Sequence, residues 1–390
     1  MTDEAQQLRH ALAKELDANG ALRTAPWRGT VEAVPRHAFL GSFFADEPTT
    51  DGTSYTPVLD AGHRAQWLAL AYEDRTWVTQ LDGHLFADRA PGPVTGIPTS
   101  SSTLPSMVVS MLEELDVADG MTVLEVGTGT GYSTALLCHR LGEDQVTSIE
   151  VDPEVAARAD AALESAGYST WTVTGDGLLG HPYRAPYDRV IATMAVRRIP
   201  YAWIRQTRPG GIVLATVGSW AYGTGLAKVT VSPDGTAEGS IVARTSFMPA
   251  RAQAVAPVGG DLGARIAYAG PGRPVRITPG VLREWMPAFL AQLAAPGAQL
   301  VRAALADGTE TAYLIDAERE SVAAVALDGD RWTVRQSGPV NLWDAVEDTL
   351  VAWQAAGGPD VDSVRLRVTE DAHTYWIGDD PALRWVHRLA

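Results

Sequence analysis

Residues 121–137, MTVLEVGTGTGYSTALL, constrain this chain more than any other stretch. An apolar β-type run over 122–126 carries an acid, Glu125, and is followed by Gly127, Gly129 and Gly131; a helix-like run starts at Tyr132. Glycines between a strand and a helix let the backbone turn tightly and let a nucleotide-like ligand approach the main chain. A second strand-like run, QVTSIEV, then delivers Glu150. An acid about twenty residues beyond the glycines, at the end of the second strand, is placed to take both hydroxyls of a ribose.

A lone glycine-rich turn is weak evidence, because dinucleotide enzymes share its logic and a turn can be purely structural. Here the turn sits in a strand–turn–helix–strand context, its spacing is GxGxG rather than GxGxxG, and an acid precedes the glycines. That pattern resembles the S-adenosylmethionine site of class I methyltransferases more than an NAD site.

The chain has 390 residues, enough for two domains. No apolar run reaches bilayer-spanning length, and the polar amphipathic N-terminus lacks the core of a signal peptide. The single cysteine, Cys138, lies on an apolar helix face, reads as a core thiol and excludes a disulfide framework. These features point to the cytoplasm. A formal charge of −16 disfavours binding to nucleic acid or an anionic membrane. The charge is uneven: between Arg184 and Arg208 there are six arginines and one acid, Asp188. Such an island either attracts an acidic substrate or simply solvates helix faces.

Along the chain, residues 11–16 and 27–39 carry helical apolar spacing, the second broken at Pro35. Residues 67–72 and 77–80 read as short strands, and 83–98 as an exposed loop rich in Gly, Pro and Asp. A helix follows over 106–115. Strands at 146–151, 171–175, 189–194 and 212–217 alternate with helices at 152–167, capped by Asp152 and Gly167, and at 201–206, closed by Pro209-Gly210-Gly211. Alternation of this kind implies a mostly parallel, doubly wound α/β sheet. A terminal hairpin is expected around Asp234-Gly235, then a linker over 250–280. Beyond it come a helix (281–293), strands (300–303, 312–316, 321–327, 332–336), a helix (342–355), a strand (363–368) and a helical or extended close. The expectation is therefore a Rossmann-like catalytic domain over 1–250 and an additional C-terminal α+β domain over 251–390.

Several segments in order resemble the protein L-isoaspartate O-methyltransferase family across roughly residues 20–250. AVPRHAF at 33–39 is similar to the family's VPRxxF segment, and TSSSTLPSM at 99–107 falls where it has an ISxP active-site motif. VLEVGTGTGY is similar to its cofactor loop; GDG at 175–177 with APYD at 185–188, PGG at 209–211 and FMP at 247–249 match later signatures. The loop before TSSST, the C-terminal region and GPVNLWD at 338–344 resemble the methyltransferases found beside ATP-grasp ligases in ribosomally made (graspetide) peptide pathways, to which a lanthipeptide-associated group is related.

The resemblance implies S-adenosyl-L-methionine held by Glu125, Gly127, Thr128, Gly129, Gly131, Tyr132, Glu150, Val151, Asp176 and Gly177, with Glu150 on the ribose hydroxyls and Asp176 on the adenine amino group. It implies methylation of an aspartate carboxylate in an acidic, macrocyclic precursor peptide, closure of the ester to aspartimide, and an ATP-grasp ligase as pathway partner. Thr103 stands where the repair enzymes usually have serine; the acceptor-orienting hydroxyl is that of Thr103, Ser101 or Ser102, unless TSSST is only a polar loop and N-cap. Arg197 and Arg198 follow a strand end where open α/β folds bind ligands, so they either pair with substrate carboxylates or are structural. His37, His139 and His181 lack metal-ligand spacing and read as surface or packing residues; no metal is expected. A carboxylate is already ionised at neutral pH and needs no strong base. Isoaspartate repair is the second reading. The third, from a different class, is a cofactor-binding scaffold for a peptide-maturation partner.

Overall fold

The computed structural model describes residues 2–50, 52–61, 63–220, 223–253, 266, 271–304 and 310–388. The chain forms two compact units, Met1–Met194 with Ala202–Leu214 and Ala195–Tyr201 with Ala215–Ala390.

The first unit opens with helices α1 (Thr2–Ala18) and α2 (Ala25–Ala33). In α1, Leu12, Ala13 and Leu16 are buried while Lys14, Glu15 and Asp17 are exposed, the spacing of a helix with one apolar stripe. Strands β1 (Ser42–Thr49) and β2 (Gly52–Leu59) form an antiparallel hairpin, followed by helix α3 (Arg64–Ala71). Strands β3 (Trp77–Leu81), β4 (Leu85–Phe86) and β5 (Pro98–Ser102) join β1 and β2 in one sheet.

Two expectations fail in this region and one element is unexpected. Residues 67–71 are helical, with Tyr72 as their C-cap, and not a strand: Trp67, Leu68, Ala71 and Tyr72 are buried and Ala69 is exposed, a one-sided helical stripe that a short apolar run does not display. The β1–β2 hairpin is absent from the sequence reading because Pro48, Pro57 and the acids of β1 weaken its strand signal. Within 83–98, Phe86 and Ala87 are buried, so the segment is not simply an exposed loop.

Helix α4 (Pro105–Glu114) leads into the doubly wound region: β6 (Val123–Val126), α5 (Tyr132–Leu141), β7 (Val146–Glu150), α6 (Pro153–Ser165), β8 (Trp171–Thr174), β9 (Tyr187–Val196), α7 (Tyr201–Gln206) and β10 (Thr207–Val217). The strand order is β10-β9-β6-β7-β8, and β6 is parallel to both β7 and β9. Strands proceed outward from β6 to β8 and then resume on its other side at β9. The topological switch point, where such sheets bind ligands at their carboxyl ends, thus falls at the end of β6. Asp152 caps α6 as expected, its side chain accepting from the amides of Glu154 and Val155. Pro209-Gly210-Gly211 lies inside β10 instead of closing the preceding helix. A Cβ on Gly211 would come within 2.7 Å of the Asp188 carbonyl, so close backbone approach selects the glycine.

The second unit contains an antiparallel sheet of β11 (Thr224–Val231), β12 (Ala237–Thr245), β18 (Val364–Val368), β19 (Ala372–Ile377) and β20 (Arg384–Arg388), in the order β20-β19-β18-β12-β11. A second antiparallel sheet holds β13 (Arg273–Pro274), β14 (Gln299–Ala304), β15 (Glu310–Asp316), β16 (Ser321–Asp328) and β17 (Arg331–Ser337). Helices α8 (Trp285–Ala294) and α9 (Leu342–Ala355) complete it. The hairpin β11–β12, assigned from sequence to the region before residue 250, belongs to this unit and pairs with β18 from Ala237↔Val368 to Ser240↔Arg365. Most of the expected 250–280 linker lies outside the described residues. Its far end is tied to α9, where the buried Glu347 accepts from the Arg273 and Arg276 side chains and from the amides of Arg276 and Ile277. Among the described residues no helix is long and apolar enough to cross a membrane.

Two histidines with lowered pKa values, His373 and His387, are expected to make the second unit acid-sensitive, and the larger downward shift is at His373. His373 on β19 is fully buried; its ring meets the Ile199 carbonyl, and burial first, with His387 and Arg198 adding to it, pushes its pKa down to about 4. An unfolded histidine takes a proton below about 6.5, the folded one only below about 4, so between these values protons favour the unfolded chain. The group's stability contribution is complete above pH 6.5 and is lost toward pH 4, an effect of about 3 kcal/mol. Denaturant titrations from pH 7 to 4.5 should show a shallower loss of stability for His373→Asn than for the parent chain; parallel losses would assign the acid sensitivity elsewhere.

Candidate active site

The end of β6 and the glycine loop form the centre of the first unit's site. Gly127 has φ +97°, and a Cβ there would meet the Thr193 hydroxyl at 2.8 Å. Thr193, near the end of β9, donates to the carbonyls of Val126 and Gly127 and so fixes the loop from the neighbouring strand. Glu150, at the end of β7, is nearly buried; its carboxylate accepts from the Gly129 amide at 3.0 Å and the Asp152 amide at 3.1 Å.

Val151, next to Glu150, is 47% exposed, and Leu179, three residues beyond Asp176, is 67% exposed. Asp176 is exposed and accepts from the Leu178 amide. Gly177 beside it is buried, and a Cβ there would lie 2.3 Å from Val126 Cγ1, so only glycine fits between the strand end and this acid. Acids that can accept from ribose hydroxyls and an amino group, beside side-chain-free backbone at the strand ends, suit an adenosine, so the residues fit the expected cofactor.

Three of the ten expected cofactor residues turn their side chains inward. Glu125 is fully buried and accepts from the hydroxyls of Thr134 and Ser148, with burial pushing its pKa up. Thr128 is buried against the Ser148 hydroxyl at 2.7 Å. Tyr132 is buried between Phe39 and the Arg36 guanidinium, its ring centroid 6.0 Å from each. Their side chains shape the loop from behind. Gly131, at φ +88°, begins α5.

The TSSST segment is a strand end, not a loop. Strand β5 pairs antiparallel with β3, Trp77 opposite Ser102 and Val78 opposite Ser101. Burial alternates along it: Ser100 and Ser102 are buried, Ser101 and Thr103 half-buried. The period-two geometry of the strand therefore turns Ser101 away from the buried Ser100 and Ser102; Thr103, one residue past the strand end, is half-buried like Ser101. The Ser101 carbonyl lies 3.6 Å from where a Gly129 Cβ would be, which brings this strand to the glycine loop. The backbone that follows Thr103 is held at two points. Leu104 N donates to the Thr76 hydroxyl at 3.0 Å and Ser106 N to Asp74 at 2.7 Å.

Arg36, from the VPR segment, explains part of that order. It is fully buried, donates to the carbonyls of Ala71, Glu73 and Arg75 at 2.7–2.9 Å, and reaches the Thr103 carbonyl at 3.4 Å. Burial lowers its pKa to about 10, still well above neutrality.

A cavity of about 600 Å³ lies against this region, bordered by Phe39, Leu59, Thr79, Ser100, Gly129 and Ala159 among others. Of the expected cofactor residues only Gly129 borders it, so this space is not the adenosine cradle.

The arginine island does not survive as one patch. Arg189 is buried and donates to the carbonyls of Leu115 and Asp116; Arg208 pairs with Asp188 at 2.7 Å; Arg184 covers the Trp171 ring. Arg197 and Arg198 belong to the second unit. There Gln253 accepts from both of their amides, and Arg197 donates to the Pro296 carbonyl at 3.3 Å. Linear charge density cannot distinguish these environments. His37 and His139 meet the hydroxyls of Tyr72 and Tyr168, as packing residues do. Among the described residues no group of three or more His, Cys, Asp or Glu is arranged to hold a metal.

The β10-β9-β6-β7-β8 order, the glycine loop and the acid at the end of β7 define the fold and cofactor site of a class I S-adenosylmethionine-dependent methyltransferase. Residues 69–254 match the family described as protein-L-isoaspartate(D-aspartate) O-methyltransferase. The protein-L-isoaspartate O-methyltransferase of Ignicoccus hospitalis is 39% identical over 39% of this chain and 72% of its own length; that of Anaeromyxobacter dehalogenans is 40% identical over 43% and 79%. The chain belongs to the protein-L-isoaspartate O-methyltransferase family and is an S-adenosylmethionine-dependent carboxyl methyltransferase. A solved protein-L-isoaspartate O-methyltransferase shares the fold over 97% of this chain and 99% of its own, with TM-score 0.52 and 21% identity.

Proposed function

We propose that this enzyme methylates an aspartyl side-chain carboxylate in an acidic, crosslinked, graspetide-type peptide, and that the ester then closes to aspartimide. The observation that carries the carboxylate chemistry is the hydroxyl-bearing strand end at Ser101, followed by Thr103; the Ser101 backbone approaches the glycine loop. When bound, S-adenosylmethionine supplies an electrophilic methyl group. In this reading Glu150 holds the ribose hydroxyls, Asp176 the adenine amino group, and Val151 and Leu179 flank the base. The acceptor carboxylate arrives ionised. The Thr103 hydroxyl donates to one of its oxygens and leaves the other free to attack. A hydroxyl orients the nucleophile without neutralising it, so positioning and removal of water do most of the work. Once the ester exists, the neighbouring backbone nitrogen attacks its carbonyl, a C–N bond forms, and methoxide leaves with the amide proton as methanol.

One observation supports the peptide-tailoring branch: Thr103 in the position of the family's serine. In the same reading the enzyme is cytoplasmic, an ATP-grasp ligase supplies the crosslinks, and Arg197 and Arg198 meet substrate carboxylates. Isoaspartate repair is the second reading, supported by the names of the relatives. The C-terminal region does not separate the two, because a solved structure bearing the repair name aligns along nearly the whole chain.

Mass spectrometry on a matched peptide pair tests the choice. A crosslinked aspartyl peptide should gain about 14 Da and then finish about 18 Da below its starting mass, as esterification and loss of methanol require. If a linear isoaspartyl peptide reacts and the crosslinked one does not, repair is the function.

A further inference from the structure

The outer face of the second unit's sheet carries a charge opposite to that of the whole chain. In β18, Val364, Leu366 and Val368 point inward, and Arg365 and Arg367 are exposed. In β19, His373, Tyr375 and Ile377 are buried, leaving Thr374 and Trp376 on the outer face. In β20, Arg384, Val386 and Arg388 are exposed around a buried Trp385. The register aligns these residues in rows. Arg365 lies opposite Trp376, which lies opposite Arg384; Arg367 lies opposite Thr374, which lies opposite Val386.

The result is a tryptophan between two arginines, with the Arg384 guanidinium 5.8 Å from the ring, and a third arginine, Arg388, further along the same strand. Arg367 pairs with Glu238 at 3.2 Å. Arg365, Arg384 and Arg388 make no ion pair among the described residues. The acids nearby, Glu370, Asp371, Asp379 and Asp380, occupy the turns at the strand ends and not the face.

Three arginines without an ion pair among the described residues are grouped around an aromatic on this face. On a chain of formal charge −16 they make a local minimum for an anion that the rest of the molecule repels. We propose that this β18–β20 face docks an extended, acidic segment of the peptide substrate. The inference rests on the reading that the substrate is an acidic peptide. Strand β20 is the edge of its sheet, so an extended segment running beside it sets alternate side chains opposite Arg384, Val386 and Arg388. Acids at every second position then meet guanidinium groups, whose planar forks take a carboxylate with two hydrogen bonds. Trp376 packs against the aliphatic stems between them. Each exposed pair contributes little alone, so affinity comes from the row acting together and is sensitive to salt.

The test uses the full-length protein and a fluorescein-labelled peptide of alternating glutamate and threonine, read by fluorescence anisotropy at low and physiological salt. The probe contains no aspartate, so its binding does not depend on whether methyl transfer follows the proposed course. Arg365→Glu with Arg384→Glu is expected to weaken binding about tenfold or more and to flatten its salt dependence. Arg331→Glu, an exposed reversal on the other sheet, should leave binding unchanged. Cofactor affinity measured on each variant reports whether the protein is intact; should the double variant not fold, Arg388→Glu with Trp376→Ala replaces it. In turnover, the double variant should raise KM for an acceptor joined to the acidic segment, with kcat unchanged and a short acceptor unaffected. Equal probe binding by parent and double variant overturns the proposal. So does an oligothymidine of similar charge binding as tightly as the peptide, which would make the face a general polyanion site.

Discussion

Replacing Glu150 by alanine is expected to weaken S-adenosylmethionine binding by about ten- to a hundredfold, the loss of one or two charge-assisted hydrogen bonds. The geometry suggests why the effect is large for a single residue. The carboxylate already accepts from the Gly129 and Asp152 amides, so it fixes the glycine loop as well as facing the ribose. Alanine removes both functions and leaves the Gly129 amide without its acceptor in a nearly buried place. Glu150→Gln keeps an oxygen for one amide and should lose less. Asp176→Asn, at an exposed position, should lose less still, since water competes for its hydrogen bonds. Calorimetric titration of the cofactor into the three variants gives the order directly. Parent-like affinity in Glu150→Ala would mean that the cofactor is held elsewhere.

The parts of the site that were legible in the sequence are those where local geometry and chemistry coincide. GxGxG followed by Tyr132 is a strand-to-helix turn whatever surrounds it, and Glu150 and Asp176 stand at strand ends that the alternation of β and α already marks. What local pattern does not carry is side-chain direction in a strand covered on both faces. All four residues of β6 are buried, so nothing in VLEV distinguishes an outward Glu125 from the inward one that Thr134 and Ser148 hold. The same limit hid Thr193 and Arg36, whose partners are up to sixty-seven residues away in the chain. It also hid the pairing of β12 with β18, which assigns the terminal hairpin to the second unit. In TSSST the reverse holds: once residues 99–102 are known to be strand, period two separates Ser100 and Ser102 from Ser101, a distinction that a loop would not permit.

Thr103→Val should lower kcat by about ten- to 150-fold, the range for removing one hydrogen bond to a charged group. Valine has nearly the shape of threonine, and Thr103 is only half-buried, so the fold and the cofactor site should survive the exchange. Its carbonyl stays within reach of Arg36 in any variant, because that contact is to the backbone. The loss is therefore confined to the hydroxyl. If that hydroxyl orients the carboxylate as it attacks, kcat and kcat/KM fall together, and cofactor affinity by calorimetry is unchanged. Thr103→Ser restores the donor without the methyl branch and should retain most activity; the branch limits rotation about χ1, so the serine variant trades some orientation for freedom. A valine variant with parent turnover would remove Thr103 from the reaction. Ser101, at the strand end beside the Gly129 loop, is then the donor, and Ser101→Ala should carry the loss instead, whereas Ser102→Ala should cost stability more than rate because its side chain is buried on the opposite face of the strand.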